Sequence, residues 1–186
     1  MIKILHVLSD TNIGGAGRYL FNLLSSQDSN RFEVVVACPG GGELERQLKA
    51  KDIKVYTLEG GESSANLSQI KSLRQIISWE KVDIVHTHAS FAGRIAGKTA
   101  GCKVVMTRHG LGGSGGGFLK RTTTRLVSRI FTDRIIAISR AVKISLIESG
   151  VPADMITIIY NGIDLSKFDR IEGSLRKELG IAPNTP

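Results

Sequence analysis

The sequence predicts an α/β domain in which a doubly wound, mostly parallel sheet is covered by helices on both faces. Three observations carry the prediction. Short runs rich in Val and Ile recur along the chain, helix-length segments separate them, and a glycine-bearing turn follows the first run directly. Strand, helix, strand repeated this often buries its apolar runs best as a parallel sheet, and ligands of such sheets sit at the carboxyl ends of the strands.

Taken in order, the first strand spans Ile2 to Leu8, and TNIGGAGRYL (Thr11 to Leu20) turns it into a helix expected at Gly17 to Leu24. Phe32 to Ala37 is the second strand and Glu43 to Lys51 the second helix. A third strand at Lys54 to Thr57 leads to a helix at Asn66 to Ser78, which carries Leu67, Ile70, Leu73, Ile76 and Ile77 at helical spacing. Ile84 to Thr87, Lys103 to Thr107 and Arg134 to Ile138 are the next strands, with helices at Ser90 to Thr99 and Phe118 to Phe131 between them. Arg140 to Ser149 is a helix stopped by Gly150 and Pro152, and Ile156 to Ile159 is the last strand. One rim then gathers the glycine turn, Thr87-His88, Arg108-His109 and Ile138-Ser139.

Past Ile159 the pattern changes. YNGIDLSKFDR contains an Asn-Gly turn, SLRKELG reads as a short helix ended by Gly180, and IAPNTP brings no further strand. The expected organisation is one domain over residues 1–160 and the start of an interdomain linker over 161–186, with a second domain absent. The block LGGSGGGF has no packing content, so residues 112–117 read as an engineered Gly/Ser linker replacing a longer segment.

With 186 residues, 41% of them hydrophobic, the chain can bury one substantial core. No run approaches the roughly 18 to 20 apolar residues that span a bilayer, and the N-terminus lacks the features of a secretory signal, so the expected location is the cytoplasm. Cys38 and Cys102 lie far apart with no metal-ligand spacing, and read as small buried apolar residues. The +8 formal charge implies attraction to polyanions: nucleic acid, anionic headgroups or phosphorylated ligands. Only 5% of residues are aromatic and no recognisable nucleic-acid module is present, which argues against nucleic acid. A stand-alone binding module with a basic face is the alternative class.

The glycine turn is neither of two familiar phosphate loops. Gly15 and Gly17 fit the first two positions of GxGxxG, but the third falls on Leu20. The second strand ends in Ala37-Cys38-Pro39-Gly40, where an acidic residue would hold a ribose. No Lys-Ser or Lys-Thr follows at P-loop spacing. What remains is a helix N-terminus able to donate backbone N–H groups to a phosphate, or to let a sugar lie against the chain.

Of four histidines, His6 lies inside the first strand and reads as a hydrogen-bonded core residue. His86 and His88, two apart on a strand, share a face; His86 reads as buried, while His88 and His109 look over the rim. No nearby Asp, Glu or Cys completes a ligand set for them, and Asp83 lies at the other end of its strand, so no metal is expected. Histidines there suit hydrogen-bonding a polar substrate or moving a proton near neutral pH. The helix FLKRTTTRLVSRIF carries Lys120, Arg121, Arg125 and Arg129 and no acidic residue. Arg121, Arg125 and Arg129 form one stripe; Leu119, Leu126, Val127 and Ile130 face away from it and are expected to pack on the sheet. The cations then meet phosphates of a lipid or an acceptor, the alternative being a merely solvated face.

Together the glycine turn, DIVHTHAS, VVMTRHG, IIAISRAV and IIYNGIDLSKF resemble, in order, the N-terminal, acceptor-binding half of a GT-B glycosyltransferase of the retaining family called group 1 or family 4. The resemblance covers essentially the whole chain. It implies a Rossmann-like domain facing a second one, absent here, and transfer from a nucleotide-diphosphate sugar to a saccharide or lipid-linked acceptor in cell-envelope or polysaccharide synthesis. It also implies no metal or other cofactor. By resemblance, His109 sits beside the transferred sugar as the catalytic residue. Gly14, Gly15 and Gly17, with Arg18 and Arg108 beside these motifs, contact donor or acceptor. His88 and Ser139 line the acceptor side, and Asn161, Gly162 and Asp164 begin the interdomain connection. Some members dock a basic amphipathic helix on the membrane, which implies peripheral contact of Lys120, Arg121, Arg125 and Arg129 with the inner face of the cell membrane. The half alone is expected to be inactive. A sugar-nucleotide epimerase of GT-B shape is a further alternative.

Overall fold

The structure is a computed structural model that describes residues 1–59, 67–112, 117–165 and 175–182. Seven strands form one parallel sheet: β1 (Ile2–Leu8), β2 (Phe32–Pro39), β3 (Lys54–Leu58), β4 (Ile84–His88), β5 (Lys103–Arg108), β6 (Arg134–Ala137) and β7 (Ile156–Ile158). Their order is β3-β2-β1-β4-β5-β6-β7, the doubly wound arrangement the sequence predicts. The helices are α1 (Gly15–Ser25), α2 (Glu43–Lys49), α3 (Leu67–Glu80), α4 (Phe91–Thr99), α5 (Phe118–Phe131), α6 (Arg140–Glu148) and the short α7 (Leu175–Glu178). Strands β2 to β5 run one or two residues past their expected ends, and α1 starts at Gly15 rather than Gly17. The Gly/Ser block falls largely on residues 113–116, outside the described residues, as do Asn66 and half of the expected linker segment, 166–174 and 183–186.

Alternation along each strand divides the core. Leu5, Val7, Val85 and Val104 face α3 and α4, packing on Leu73, Ile76, Ile77, Ala92 and Ala96. Leu8, Val36 and Cys38 face the other way, under Leu20 of α1 and Leu44 and Leu48 of α2. Met106, Ile135, Ala137 and Ile156 extend the first face beneath α6. The second face is covered less completely: across β5 to β7, Val105 and Ile136 are only half-buried and Thr157 is exposed.

One expectation fails at α5. Its inward face is Thr124, Val127, Ser128 and Phe131, while Leu119 and Leu126 are 79% and 60% exposed and Ile130 is 48% exposed. Arg94 from α4 explains the reversal. Its guanidinium donates to Thr132 Oγ1 at 2.8 Å and to the Val127 carbonyl at 3.4 Å, so a polar contact holds the inner side of the helix. The apolar stripe is left facing outward beside the arginines.

At the amino end of the sheet, the buried Glu80 carboxylate accepts from Lys3 Nζ at 3.1 Å and Lys54 Nζ at 2.6 Å, and from the Tyr56 hydroxyl. Burial works to raise its pKa, but the hydrogen bonds from Lys54, Tyr56 and Lys3 outweigh it and lower the value to about 2, against 4.5 for a free carboxyl. A depressed carboxylate stabilises the fold above the unfolded value, and that contribution is lost as pH falls from about 4.5 toward about 2. With exposure of the lysine partners discounted, the contribution is about 2 kcal/mol. Urea midpoints of the wild type and Glu80→Gln should therefore converge as pH falls through that window. A gap that stays constant to pH 3 contradicts the assignment.

Candidate active site

Strand order turns back between β1 and β4, so the crevice outside their carboxyl ends is where a doubly wound sheet takes a ligand. The chain leaving β1 enters the glycine turn; the chain leaving β4 passes through His88, Ala89 and Ser90. Ser90 Oγ accepts from Gly93 N at 3.1 Å and caps α4, and Ala89 adopts φ +66°, a left-handed conformation that is uncommon for alanine and typical of functional turns.

The register of the sheet assembles all four histidines. His6 of β1 pairs with His86 of β4, Leu8 with His88, and His88 with Thr107 of β5. Paired residues in parallel strands share a face, so His6, His86, His88, Thr107 and the following His109 line the side covered by α1. His6 Nδ1 lies 3.1 Å from His88 Nε2, and His88 Nδ1 lies 2.9 Å from His109 Nε2. His86 Nε2 meets Thr107 Oγ1 at 2.7 Å. Tyr19, one turn into α1, sets its ring 5.0 Å from that of His109 and 5.7 Å from that of His88.

Burial disfavours the imidazolium form throughout. It holds His6 and His88 well below the usual range, with neighbouring rings adding to the effect; it brings His86 down to about 4 and lowers His109 more modestly. The row is therefore neutral at pH 7. Two ends stay unpaired: His6 Nε2, deep in the sheet, and His109 Nδ1 are both buried, with no hydrogen-bond partner among the described residues.

The glycine turn is open. Neither Gly14 nor Gly15 needs a positive φ, and a methyl group on either would meet no protein atom within 4 Å. Gly17 alone is packed, against Leu44 and Ile13. Gly14 caps α1 without a side-chain hydrogen bond, and no acidic residue occupies the first turn. Gly14 N donates to the Asn12 carbonyl at 3.0 Å, so it is the exposed Gly15 that offers the positive end of the helix to an anion or a sugar hydroxyl.

Other expected residues distribute less tightly. Arg18 is exposed on α1, and Arg108 folds back so that Nε donates to the Gly110 carbonyl at 3.2 Å. Ser139 Oγ accepts from Val142 N at 3.2 Å, so its hydroxyl oxygen is engaged as the cap of α6. Asn161 is exposed; the adjoining Gly162 carbonyl accepts from Asn22 of α1 at 3.2 Å. Arg129 pairs with Asp154 at 3.2 Å, whereas Arg121 and Arg125 line a groove of about 590 Å³ with Phe118 and the segment Gly150 to Ala153. Lys120 is exposed on the same helix.

Sequence reasoning missed His6, Tyr19 and Thr107 as members of the site. It also raised the metal question at His88 and His109, whereas the three-nitrogen group lies deeper, at His6, His86 and His88, with ligating atoms within 4.8 Å of one another. There the facing nitrogens of His6 and His88 are already hydrogen-bonded to each other, and no carboxylate or thiolate joins that group among the described residues.

Comparison with known proteins agrees with this architecture. The chain is 32% identical, over 205 residues, to the UDP-Gal:α-D-GlcNAc-diphosphoundecaprenol α-1,3-galactosyltransferase of Escherichia coli, covering 99% of this chain and 51% of that protein. A crystal structure of a glycosyltransferase from Rickettsia africae matches all of this chain and 51% of its own, with TM-score 0.79 and 22% identity. Anabaena HepE in complex with UDP-glucose matches 99% of this chain and 51% of its own, with TM-score 0.72 and 22% identity. The chain thus spans about half the length of the relatives it matches. The sequence profile of Glycosyltransferase Family 4 matches residues 13–167, most of the chain, and the chain belongs to that family.

Proposed function

We propose that this domain forms the acceptor side of a nucleotide-sugar-dependent glycosyltransferase, in which a second domain supplies most of the donor site. The observation that carries the reading is the pairing, at the carboxyl ends of neighbouring strands, of an open glycine turn with a buried imidazole nitrogen that lacks a protein partner. Gly14 and Gly15 are glycines that neither φ nor internal packing requires, and His109 Nδ1 is a polar atom left without a partner. The family and the galactosyltransferase relative support a sugar-nucleotide donor and a lipid-linked or saccharide acceptor. Transfer proceeds with retention, without a metal, in cell-envelope or polysaccharide synthesis at the inner face of the cytoplasmic membrane.

Membrane contact is supported by α5, where Phe118, Leu119, Leu126 and Ile130 are exposed alongside Arg121 and Arg125. Such a face inserts its apolar side at the headgroup boundary and pairs its cations with phosphates. No helix is long and apolar enough to cross a membrane among the described residues. The isolated 186 residues do not turn over, because half of the charge stabilisation of the leaving diphosphate belongs to the other domain.

Amide spectra of the chain test the reading. A GlcNAc-diphosphate lipid acceptor should shift Gly14, Gly15 and His109, while duplex DNA at physiological salt should leave them in place. Shifts produced by DNA and not by the acceptor would replace this reading with a polyanion-binding module.

A further inference from the structure

We propose that the groove between α4 and α5 is a headgroup site for an anionic phospholipid, with Arg94 holding the phosphate and Phe91 and Leu119 lying against the start of the acyl region. The inference extends the membrane contact proposed above, but it uses the flank of α5 that meets α4 rather than the flank of Arg121 and Arg125. The groove has a volume of about 570 Å³, and Phe91, Arg94, Leu119, Lys120, Thr123 and Val127 are in its wall. Among the described residues no acidic side chain lines it.

Arg94 is a half-buried cation without an anion. Its Nε donates to Thr132 Oγ1 at 2.8 Å and its Nη2 to the Val127 carbonyl at 3.4 Å, and both acceptors are uncharged. The carboxylate that follows Thr132 in the chain, Asp133, is already taken, by Lys98 Nζ at 3.0 Å and Val104 N at 2.8 Å. Helix α5 carries no acidic residue of its own. Burial lowers the Arg94 pKa to about 10, and no carboxylate acts to raise it. The guanidinium therefore stays charged at pH 7 in a place where a cation ordinarily finds a counter-ion.

The group is also held in place before a ligand arrives. Besides its two hydrogen bonds, its central carbon lies 5.1 Å from the centroid of the Phe91 ring, which packs edge-on against Phe131 at 5.6 Å. Nη1 has no hydrogen-bond partner among the described residues. A planar fork with N–H groups to spare suits a phosphate oxygen, and the uncompensated charge makes the bond a strong one. The rest of the wall points to a lipid rather than a free anion. Leu119 lines the groove and also belongs to the exposed apolar stripe of α5, so chains leaving a phosphate at Arg94 have an apolar path toward a bilayer. Lys120 adds a second cation to the lining, which favours a headgroup of net negative charge over one that carries an ammonium.

Short-chain lipids, soluble as single molecules, test the site on the ¹⁵N-labelled chain. Dihexanoylphosphatidylglycerol below its micelle concentration should shift the Arg94 Nε–H signal and the amides of Phe91 and Leu119 to saturation. Dihexanoylphosphatidylcholine should bind about tenfold more weakly, and Arg94→Gln should weaken the phosphatidylglycerol by a similar factor. If the variant does not fold, the wild-type titrations decide alone. An Arg94 signal that neither lipid moves overturns the proposal and leaves a structural staple. Equal binding of the two lipids overturns it too, as does inorganic phosphate that shifts these signals as strongly as the lipid. Geranyl diphosphate binding where phosphatidylglycerol does not would give the groove to the diphosphate of an acceptor instead. Sedimentation with phosphatidylglycerol vesicles separates this site from the broader membrane reading. A chain that binds vesicles while Arg94 stays unmoved keeps the contact through α5 and loses the site; a chain whose Arg94 answers the soluble lipid but which ignores vesicles keeps the site and loses the contact.

Discussion

Gly150→Ala should destabilise the domain by about 3 kcal/mol, and Gly101→Ala by only about 1 kcal/mol, although the two glycines do the same local job. Both follow a helix in a left-handed conformation, φ +102° and +83°. Both close the same hydrogen-bond pair: Gly150 N to Ile147 O and Val151 N to Leu146 O after α6, and Gly101 N to Lys98 O and Cys102 N to Gly97 O after α4. An alanine in that conformation costs about 1 kcal/mol at either site. The sites differ in what lies outside. A methyl group on Gly101 meets nothing within 4 Å, whereas on Gly150 it lands on the Arg121 backbone, with Cα at 2.8 Å and the carbonyl oxygen closer still. Backbone cannot swing aside as a side chain does, so α5 must shift away from α6 and open the groove of Arg121 and Arg125. Urea melts of the two variants measure the difference directly. Equal losses would mean that α5 is not seated on Gly150.

The same pair shows what the sequence discloses. Gly150 and Pro152 mark the end of a helix from composition alone, because the chain there needs a conformation that other residues resist. That Gly150 also touches α5, 29 residues earlier, depends on how two helices pack and leaves no local trace. The seven strands were legible because Val and Ile runs buried on both faces differ from everything around them. Their order was not, and the histidine row depends on that order. His6 and His86 become neighbours only because β4 lies beside β1, on the side away from β2. His6 therefore reads as an ordinary core residue in its own strand. Alternation along β4 and β5 did place His86 with His88 and put His109 at the rim. The orientation of α5 failed for a related reason: helical spacing found the apolar stripe, but the Arg94 side chain from α4 settled which side turned inward.

In a two-domain glycosyltransferase of the kind proposed above, His109→Ala should lower kcat by about 10²- to 10³-fold while the KM for the nucleotide sugar moves far less, the loss expected when one preorganised hydrogen-bonding group at developing charge is removed. The ring sits 5.0 Å from Tyr19 and hydrogen-bonds to His88, so it is held before a ligand arrives and little is spent orienting it during the reaction. Its pKa is lowered from 6.5 by burial, which disfavours the cation. The neutral ring therefore persists as pH falls through 6.5, and the acid limb of kcat/KM should lie below that value rather than at it. An imidazolium carries protons on both nitrogens and loses the acceptor nitrogen that the neutral ring offers, so activity should fall once the ring charges. Two results would count against this role: a His109→Ala enzyme within threefold of the wild type, or an acid limb at or above 6.5. Lowering of kcat with no displacement of that limb in the wild type would assign His109 to binding geometry alone, since a ring whose protonation state does not matter contributes shape and not a hydrogen bond that depends on its charge.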